Sequence, residues 1–279
     1  MHTARLLITC SFMDNYLLKP GAQFKFDQWN PNDKSWFSGN KEAGVHELHR
    51  LKAELYELQV AFYAERKHRI MIVLQGMDTS GKDGTIRHVF GGLDPQGIHV
   101  ATFGKPSTLE MNHDYLWRIH QQTPKTGQIT IFNRSHYEDV LAVRVRQLMP
   151  RDVWSKRFKH IVDFEHMLTD ENTTVVKLFL HIDNEEQKKR LIKRIEDPSK
   201  HWKLFPEDIK DRALWPAYTE AYEEAITRTS TSFAPWYIIP GNRKWYRNLV
   251  VASIMVETLK NLDPKFPQPD FDPHNLSVQ

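Results

Sequence analysis

The sequence predicts an α/β protein whose mostly parallel sheet is flanked by helices, and three observations lead to this fold class. Strand-like apolar segments alternate with segments of helical periodicity from residue 45 to residue 262. The stretch IMIVL at 70–74 is apolar without interruption, as in a parallel strand that is covered on both faces. A glycine-rich turn at 76–81 follows this strand directly and leads into a helical segment.

Each element follows from its local pattern, in chain order. Residues 13–44 are rich in Pro, Asn, Asp, Gly and aromatic residues, which predicts an irregular arm. Its expected anchors are the aromatic side chains Phe24, Phe26, Trp29 and Trp36. The predicted helices cover 45–66, 82–90, 110–122, 136–147, 153–169, 184–196, 208–230 and 243–262, and the predicted strands cover 69–75, 98–103, 128–132, 174–182 and 236–240. The tail after the last helix contains several prolines and is expected to lie on the surface or to be disordered.

Composition excludes several classes of protein. The net charge of the 279 residues is +3, too small an excess to mark a nucleic-acid-binding protein. The single cysteine, Cys10, rules out an internal disulfide framework and indicates a reducing compartment, so we expect a cytoplasmic protein. No apolar run approaches the ~18 residues of a membrane span. The first residues form a short apolar run without a clear cleavage site, so we expect a poorly ordered extension there rather than a secretory signal, with Met13 as an alternative start.

The turn GMDTSGK has the spacing G-x-x-x-x-G-K of a phosphate-binding loop, from Gly76 to Lys82. Gly76, Gly81 and Gly84 permit backbone angles that larger residues resist, so consecutive N–H groups can turn toward one anion. The following helix adds its positive N-terminal end, and Lys82 adds a point charge. The position between a buried strand and a helix favours this interpretation over a glycine-rich turn with a solvated lysine.

Two carboxylates, Asp78 and Asp83, lie inside this loop, where negative charge opposes an anionic ligand. They are explained if a cation lies between them and the phosphate, and Mg²⁺ prefers one or two carboxylates together with phosphate oxygens. Asp78 is the favoured metal ligand. Asp83 stands where most such loops carry a hydroxyl, and its alternative role is to stabilise the first helical turn through the helix dipole.

A second group of polar residues follows the third predicted strand. Phosphate-loop enzymes often hold Mg²⁺ with a carboxylate at the end of a neighbouring strand. Here the strand ends at Asn133, and an amide ligates a metal only weakly or holds a metal-bound water. Glu138 and Asp139 can restore the missing charge, although Ser135 and Glu138 also fit the capping box S-x-x-E. Arg134 is placed to reach a transferring phosphoryl group.

The segment EEQKKRLIKRIEDPSKHWK at 185–203 is dense in basic residues. Arg190 and Arg194 are four apart and share one face of the predicted helix. Many such runs are only solvated helix faces. Beside a phosphate loop, however, a basic helix followed by a proline-containing break at 196–208 indicates a lid, which brings cations over the transferred group and excludes water.

These three segments together resemble the polyphosphate kinase 2 family. The loop GMDTSGKDG, the strand end FNRSHYEDV and the lid RIEDPSKHWK are most similar to its subgroup that phosphorylates both nucleoside monophosphates and diphosphates. The resemblance runs from about Met13 to Pro269 and includes GKPS, DYLWRIHQQTPKTG and TSTSFAPWYIIPGNRKWYRN. It implies a thymidylate-kinase-like P-loop core with a helical lid. It also implies reversible, Mg²⁺-dependent transfer of the terminal phosphate of inorganic polyphosphate to AMP and ADP.

The resemblance further implies roles for particular residues. Asp78 and Lys82 fall on the family's catalytic loop positions, and Arg134 falls on its phosphate-binding arginine. Many members carry Asp in place of Asn133 and Arg in place of Asp139, and the combination found here resembles the monophosphate-accepting subgroup. The predicted catalytic residues are Asp78, Lys82, Arg134, Glu138 and Asp139; the predicted metal ligands are Asp78, Asp139 and Asn133; the predicted phosphate-binding residues are Gly76, Thr79, Ser80, Gly81, Asp83, Gly84, Thr85, Lys105, Arg190 and Arg194.

On this interpretation the chain divides into an irregular arm at 1–44, a P-loop phosphotransferase domain at 45–265 with its lid around 190–210, and a proline-containing tail at 266–279. The expected partners are polyphosphate and adenine nucleotides, with guanine nucleotides as an alternative, and neither nucleic acid nor a membrane. Mg²⁺ is the expected cofactor, with Mn²⁺ as an alternative, and we expect a homo-oligomer, either a dimer or a tetramer. Two other functions stay open: an ATP-dependent nucleoside monophosphate kinase, and a non-catalytic regulator that binds nucleotides or polyanions.

Overall fold

A computed structural model describes residues 12–273 and 276–277, so the interpretation of the first eleven residues and of Cys10 lies outside the described residues. The strands are β1 Leu17–Leu18, β2 Arg69–Gln75, β3 Ile98–Thr102, β4 Ile129–Asn133, β5 Thr173–His181 and β6 Trp236–Pro240. Within the described residues, these six strands form one sheet in the order β1-β6-β5-β2-β4-β3. The pairs are parallel except β1 with β6, so the predicted mostly parallel sheet is confirmed.

Helices connect the strands and cover both faces of the sheet. They are α1 Lys41–Glu65, α2 Lys82–Thr85, α3 Thr108–Met111, α4 Trp117–His120, α5 Ala142–Val145, α6 Arg151–Trp154, α7 Arg157–Asp170, α8 Asn184–Glu196, α9 Pro206–Ala213, α10 Trp215–Thr229 and α11 Lys244–Leu262. A π-helical turn, Ile86–Phe90, continues α2. Short 3₁₀ turns lie at Phe12–Asn15, Phe26–Gln28, Pro95–Gly97, His136–Asp139 and Pro198–Lys203.

The central strand β2 explains why the sheet has two hydrophobic cores. Its side chains alternate between the faces because the side-chain period of a strand is two residues. Met71 and Val73 pack into the core beneath α7 and α10, whereas Ile70, Ile72 and Leu74 pack into the core beneath α1 and α11. All five are fully buried, and each contributes about 1.5–3 kcal/mol through removal of apolar surface from water. The uninterrupted apolar pattern of this strand is therefore a direct consequence of its central position.

Several predicted helices are shorter or broken in the structure. The predicted helix at 110–122 is two helices, because the Asp114 carboxylate accepts a hydrogen bond from the Leu116 amide and starts a new turn. The predicted helix at 208–230 is divided at Leu214, because Pro216 in the first turn of α10 has no N–H to continue the earlier helix. The segments 136–147 and 153–169 are likewise divided, into a 3₁₀ turn with α5 and into α6 with α7.

The N-terminal arm is more ordered than its composition predicted. It contributes β1, which pairs Leu17 with Tyr237 of β6, and its first long helix begins at Lys41 rather than at 45, with Asn40 as the capping residue. The expected aromatic anchors do pack inward: Phe24 is fully buried, and Phe26, Trp29 and Trp36 are partly buried against the two cores. The arm therefore extends the sheet instead of only lying on its surface.

The proline-containing segment after α11 has no α-helix or strand over its described residues, and Phe266 and Phe271 are exposed there. In the part of the chain that the structure describes, no helix combines the length and the apolar character needed to cross a bilayer.

Candidate active site

A cavity of about 530 Å³ opens at the edge of the sheet where β2 and β4 end. This is the edge at which parallel α/β sheets bind ligands, because the loops after the strands converge there. Its lining brings together side chains that are far apart in the chain. All five predicted catalytic residues and one predicted phosphate-binding lysine line it: Asp78, Lys82, Arg134, Glu138, Asp139 and Lys105.

The phosphate loop after β2 depends on two glycines. Gly76 has a φ of +148°, and a Cβ at this position would lie 2.7 Å from the Leu180 carbonyl oxygen. Gly81 has a φ of +102°, a conformation that side chains rarely adopt. Gly84 does not share this property: it lies in α2 without a positive φ, so its predicted conformational role is wrong. Of the three glycines named in the prediction, only Gly76 and Gly81 have a positive φ.

Lys82 is 9% exposed and its ammonium group is bound inside the loop. It donates hydrogen bonds to the carbonyl oxygens of Gly76, at 2.9 Å, and of Met77, at 3.4 Å. Burial and the neighbouring charge of Arg134 lower the pKa of Lys82 to about 8. A phosphate beside it would favour the charged form again, because an opposite charge stabilises the ammonium group.

Three hydroxyls of the loop are buried, and none has a hydrogen-bond partner among the described residues. They belong to Thr79, Ser80 and Thr85, and Thr79 has a positive φ of 62°. A positive φ is a strained conformation for a β-branched residue, and such strain is often found at functional sites. These hydroxyls fit the predicted phosphate-binding set as unused donors, although the three residues do not line the 530 Å³ cavity.

The two loop carboxylates have different surroundings. Oδ2 of Asp78 is buried without a hydrogen bond from the described residues, and the Arg194 guanidinium lies 3.5 Å from it. Oδ1 of Asp83 instead accepts a hydrogen bond from the Asn133 amide at 2.8 Å, and Lys203 lies 3.3 Å from Oδ2. Asp83 and Asn133 do not line the cavity, whereas Asp78 does. The structure therefore favours Asp78 as the loop acid that faces a ligand.

The end of β4 holds Arg134 and Glu138 against the cavity. Arg134 has a positive φ of 64°. The negative charge of Glu138, and to a smaller extent that of Asp78, raises the pKa of Arg134. The capping box suggested by S-x-x-E is not formed, because the Ser135 hydroxyl accepts a hydrogen bond from the Tyr137 amide instead. Glu138 instead lines the cavity, where its charge acts on Arg134, and the helix-capping alternative for Glu138 is wrong.

Asp139 is a buried ion-pair residue. Its Oδ1 accepts a hydrogen bond from Arg157 at 2.8 Å, and the Arg118 guanidinium lies 3.9 Å from Oδ2. Burial raises the pKa of Asp139 in spite of both arginines. Arg118 also donates to the Gly104 carbonyl, so this network fixes the loop that presents Lys105 to the cavity.

A fully buried polar network lies below the end of β4. The Lys177 ammonium donates to Glu165 at 2.6 Å and to the Tyr137 hydroxyl at 3.1 Å. Tyr137 donates to Glu165 at 2.8 Å, and a ring nitrogen of His136 lies 3.3 Å from the same carboxylate. Because both His136 and Tyr137 belong to the turn after β4, this network fixes the segment between Arg134 and Asp139.

The basic segment places its two arginines differently. Arg194 lies beside Asp78 and Asp208, 3.5 Å from each, so it is close to the loop acid. Arg190 does not face the cavity: it is 8% exposed and donates to the carbonyl oxygens of Thr79, Ser80 and Gly241. A direct contact of Arg190 with the transferred phosphate is therefore not supported by its position, although the shared helix face was correctly predicted.

Sequence reasoning missed four residues that build this site. They are Arg118, Arg157, Gln187 and Arg247. Arg118, Arg157 and Arg247 are buried cations that bond to site residues or to the backbone around them. An arginine just before the apolar run LVVASIM of α11 was the one available signal, because such a residue in a buried helix needs a partner.

The acidic residues of the site can be compared with the ligands that a divalent metal requires. Among the described residues, no group of three or more His, Cys, Asp or Glu side chains is arranged to hold a metal ion. Mg²⁺ does not need such a group, because it binds one or two carboxylates together with phosphate oxygens and waters. Asp78 fits, since it lines the cavity and its buried Oδ2 has no hydrogen bond from the described residues. Oδ2 of Asp139 also lacks a hydrogen bond from the described residues, but Oδ1 of Asp139 accepts a hydrogen bond from Arg157 at 2.8 Å, so Asp139 fits less well. The Asn133 amide is bonded to Asp83.

Comparisons with known proteins agree with this geometry. Residues 38–267 match the family described as Polyphosphate kinase 2 (PPK2). An AMP/ADP-polyphosphate phosphotransferase of Meiothermus ruber is 52% identical over 96% of this chain and 100% of the relative. An ADP-polyphosphate phosphotransferase of Rhodopseudomonas palustris is 38% identical over 89% of this chain and 90% of the relative.

A solved structure supports the same conclusion. The crystal structure of polyphosphate kinase 2 from Arthrobacter aurescens TC1 superposes with a TM-score of 0.90 at 40% identity, covering 94% of this chain and 93% of that chain. The predicted P-loop kinase-like fold is thereby confirmed. With its phosphate loop, its strand-end residues and these relatives, the chain belongs to the polyphosphate kinase 2 family.

Proposed function

We propose that this protein transfers the terminal phosphate of inorganic polyphosphate to AMP and to ADP, reversibly and with the help of a divalent metal. The observation on which this rests is the cavity in which Lys82, Arg134 and Asp78 meet beside the phosphate loop. The names of the relatives point to the same donor and the same acceptors. They support the donor and the acceptors predicted from the sequence and favour this reaction over that of an ATP-dependent kinase and over a non-catalytic regulator.

Charge is the main obstacle to this reaction. Polyphosphate and the nucleotide are both polyanions, and transfer brings their ends together, so the site must compensate repulsion before the chemistry begins. Lys82, Arg134 and Lys105 supply positive charge on the cavity wall. In phosphoryl transfer the protein contributes mostly positioning and electrostatic stabilisation, because little covalent chemistry is required of it. We propose that the phosphate loop binds the transferred phosphate and that Lys82 and Arg134 compensate the negative charge of that phosphate.

The attacking atom is an oxygen of the acceptor's own phosphate. It is already ionised at neutral pH, so no general base has to remove a proton from it. No histidine is among the described residues that line the cavity. Of the two acids after β4, Asp139 is paired with Arg157, and the charge of Glu138 acts on Arg134. We assign Glu138 to the orientation of Arg134 and Asp139 to the orientation of the loop around Lys105.

Kinases of this family generally depend on a divalent metal. We propose Mg²⁺, with Mn²⁺ as a substitute, and Asp78 as the carboxylate that holds it; Asp139 is a second candidate. When bound, the metal would supply positive charge that lowers the repulsion between the two anionic substrates. Arg194 lies 3.5 Å from Asp78 and compensates the charge of this carboxylate.

The segment after α8 is proposed as the lid. Lys203 belongs to this segment and pairs with Asp83 of the phosphate loop. Arg194 lies at the end of α8, next to the segment, and pairs with Asp78. These pairs join the lid to the loop through charge, so an incoming polyanion would compete for the same cations. The domain limits given above, a cytoplasmic location and a homo-oligomeric state stay predictions.

A donor exchange tests the proposal. The protein is incubated with AMP and Mg²⁺, and with either polyphosphate or ATP as the phosphate donor, and ADP is measured by chromatography. We expect ADP with polyphosphate. Phosphorylation of AMP by ATP without any by polyphosphate would instead identify a nucleoside monophosphate kinase, and tight binding without turnover would identify a regulator.

A further inference from the structure

The carbonyl group of Ser80 in the phosphate loop accepts hydrogen bonds from two arginines. Nη1 of Arg190 lies 2.9 Å from this oxygen and Nη1 of Arg247 lies 3.0 Å from it. Arg190 comes from α8 and Arg247 from α11, so two helices that are distant in the chain meet behind one peptide group. Neither arginine lines the 530 Å³ cavity.

Both guanidinium groups are held rigidly. Arg247 is 1% exposed, and its Nε and Nη2 donate to Oδ1 of Asn248 at 3.2 and 2.9 Å. Arg190 donates to Glu186 at 2.7 Å and to the Thr79 carbonyl at 2.9 Å. Because a guanidinium group is planar, these second contacts fix the direction in which each Nη1 reaches the loop.

The direction of the Ser80 carbonyl group determines the direction of the Gly81 N–H, because both belong to one planar peptide group. The Ser80–Gly81 peptide bond is trans, since the described chain contains no cis peptide bond, so its C=O and N–H point in opposite directions. Because Arg190 and Arg247 bond the Ser80 carbonyl oxygen, the Gly81 N–H points away from these two arginines. Within the described residues no acceptor bonds this N–H, which also belongs to the unsatisfied start of α2.

The distance between Gly81 and the Arg247 guanidinium group shows how closely Arg247 packs against the loop. A Cβ built on Gly81 would lie 2.0 Å from Nη1 of Arg247, closer than any real contact. Glu186 is the one carboxylate that forms an ion pair with either arginine in the described part of the chain. The loop therefore rests on two adjacent buried cations with a single compensating acid, an arrangement that a bound anion stabilises.

We propose that Arg247, together with Arg190, is a positioning residue that turns the Gly81 amide toward the phosphate and leaves positive charge beneath it. This inference rests on the phosphate-binding role proposed for the loop. It extends that role to a residue outside the cavity, and it explains why a buried arginine stands at the start of an apolar helix.

The test uses the full-length protein and tripolyphosphate as the probe. Labelling with ¹³C-serine and ¹⁵N-glycine selects the two Ser–Gly pairs of the chain, Ser38–Gly39 and Ser80–Gly81. The first pair is an internal reference. Tripolyphosphate affinity is measured by calorimetry for the wild type, for Arg247→Lys and Arg247→Met, and for the control Lys260→Gln, an exposed cation at the far end of α11.

We expect the Gly81 amide resonance of the wild type to shift when tripolyphosphate binds, while that of Gly39 stays in place. Both Arg247 variants should bind tripolyphosphate about tenfold more weakly or worse, as for loss of a hydrogen bond to a charged group. They should also lose the Gly81 shift at saturation. Lysine should not rescue, because its ammonium group lacks the planar, forked donor geometry by which the Asn248 contacts fix the direction of Nη1.

Three results would overturn the inference. They are an unshifted Gly81 in the saturated wild type, wild-type affinity with a normal Gly81 shift in a folded Arg247→Met protein, and full rescue by Arg247→Lys. If Arg247→Met does not fold, the lysine variant alone decides between these outcomes. Failure of the proposed function looks different, since the Gly81 shift would then be normal although no phosphate is transferred to AMP.

Discussion

The side-chain amide of Asn133 donates a hydrogen bond of 2.8 Å to Oδ1 of Asp83, and so joins the end of β4 to the phosphate loop. Lys203 lies 3.3 Å from the other oxygen of Asp83. With both oxygens occupied, Asp83 is a structural acid, and Asp78 is left to face the ligand. An aspartate at position 133 would place its carboxylate against that of Asp83. The amide of Asn133 can instead donate a hydrogen bond to Asp83, which joins β4 to the phosphate loop.

Replacement of Asn133 tests this relationship. Asn133→Asp should lower the melting temperature in metal-free buffer, because a hydrogen bond worth about 1 kcal/mol is exchanged for repulsion between carboxylates. Mg²⁺ should raise the melting temperature of this variant more than that of the wild type. Asn133→Leu, which loses the bond without adding charge, is the control and should show no such metal effect. Equal melting temperatures for wild type and Asn133→Asp without metal would contradict the prediction.

Lys82 is expected to neutralise charge that grows as the phosphate is transferred. Lys82→Met should lower turnover roughly a hundredfold or more, the usual cost of one preorganised donor at a site of developing charge. The measurement is kcat with polyphosphate and AMP, and thermal unfolding verifies that the variant is folded. Near-normal turnover in a folded variant would remove Lys82 from the mechanism.

The buried state of Lys82 also predicts a dependence of stability on pH. Burial and Arg134 lower the pKa of Lys82 from 10.5 to about 8, so between these values the folded protein holds fewer protons than the unfolded chain. The free energy of unfolding should therefore rise with pH across this window. The test is urea unfolding of wild type and Lys82→Met, because their difference isolates this group. A difference that does not change between pH 8 and 10.5 would contradict the prediction.

The two acids after β4 should respond differently to removal of their charge. Asp139→Asn breaks the buried pair with Arg157 and should cost about 3 kcal/mol of stability. If Asp139 also positions the metal, the variant needs more Mg²⁺ for half-maximal turnover. Glu138→Gln should change stability by less than about 0.5 kcal/mol, while lowering turnover through Arg134. An Mg²⁺ titration unchanged by Asp139→Asn would leave Asp78 alone at the metal.

The elements that the sequence predicts well are those with long, regular patterns. The buried strand β2 and the alternation around it are visible because a central parallel strand must be apolar on both faces. The two-residue strand β1 was missed, since Leu17 and Leu18 carry no period and are strands only through pairing with β6. The breaks at Asp114 and Leu214 were also missed, because helical periodicity continues across a short turn.

The site shows the same division. Asp78, Lys82 and Arg134 were predicted from local motifs, which specify a loop and the end of a strand, and they do lie together around one cavity. The supporting residues Arg118, Arg157 and Arg247 were not, because each reaches its partner across the fold rather than along the chain. Arg190 was predicted in the correct helix, but its helix face alone does not show that it points behind the loop.

The most direct test of the account is phosphorus NMR of the protein with AMP, Mg²⁺ and polyphosphate as the only donor. ADP should appear first and ATP second, while the signal of the polyphosphate chain ends changes in step. A parallel sample with ADP and no polyphosphate should yield no ATP, which shows that the second phosphate also comes from the polymer. Stable AMP and an unchanged polyphosphate spectrum, with a protein that phosphorylates AMP from ATP, would contradict the account.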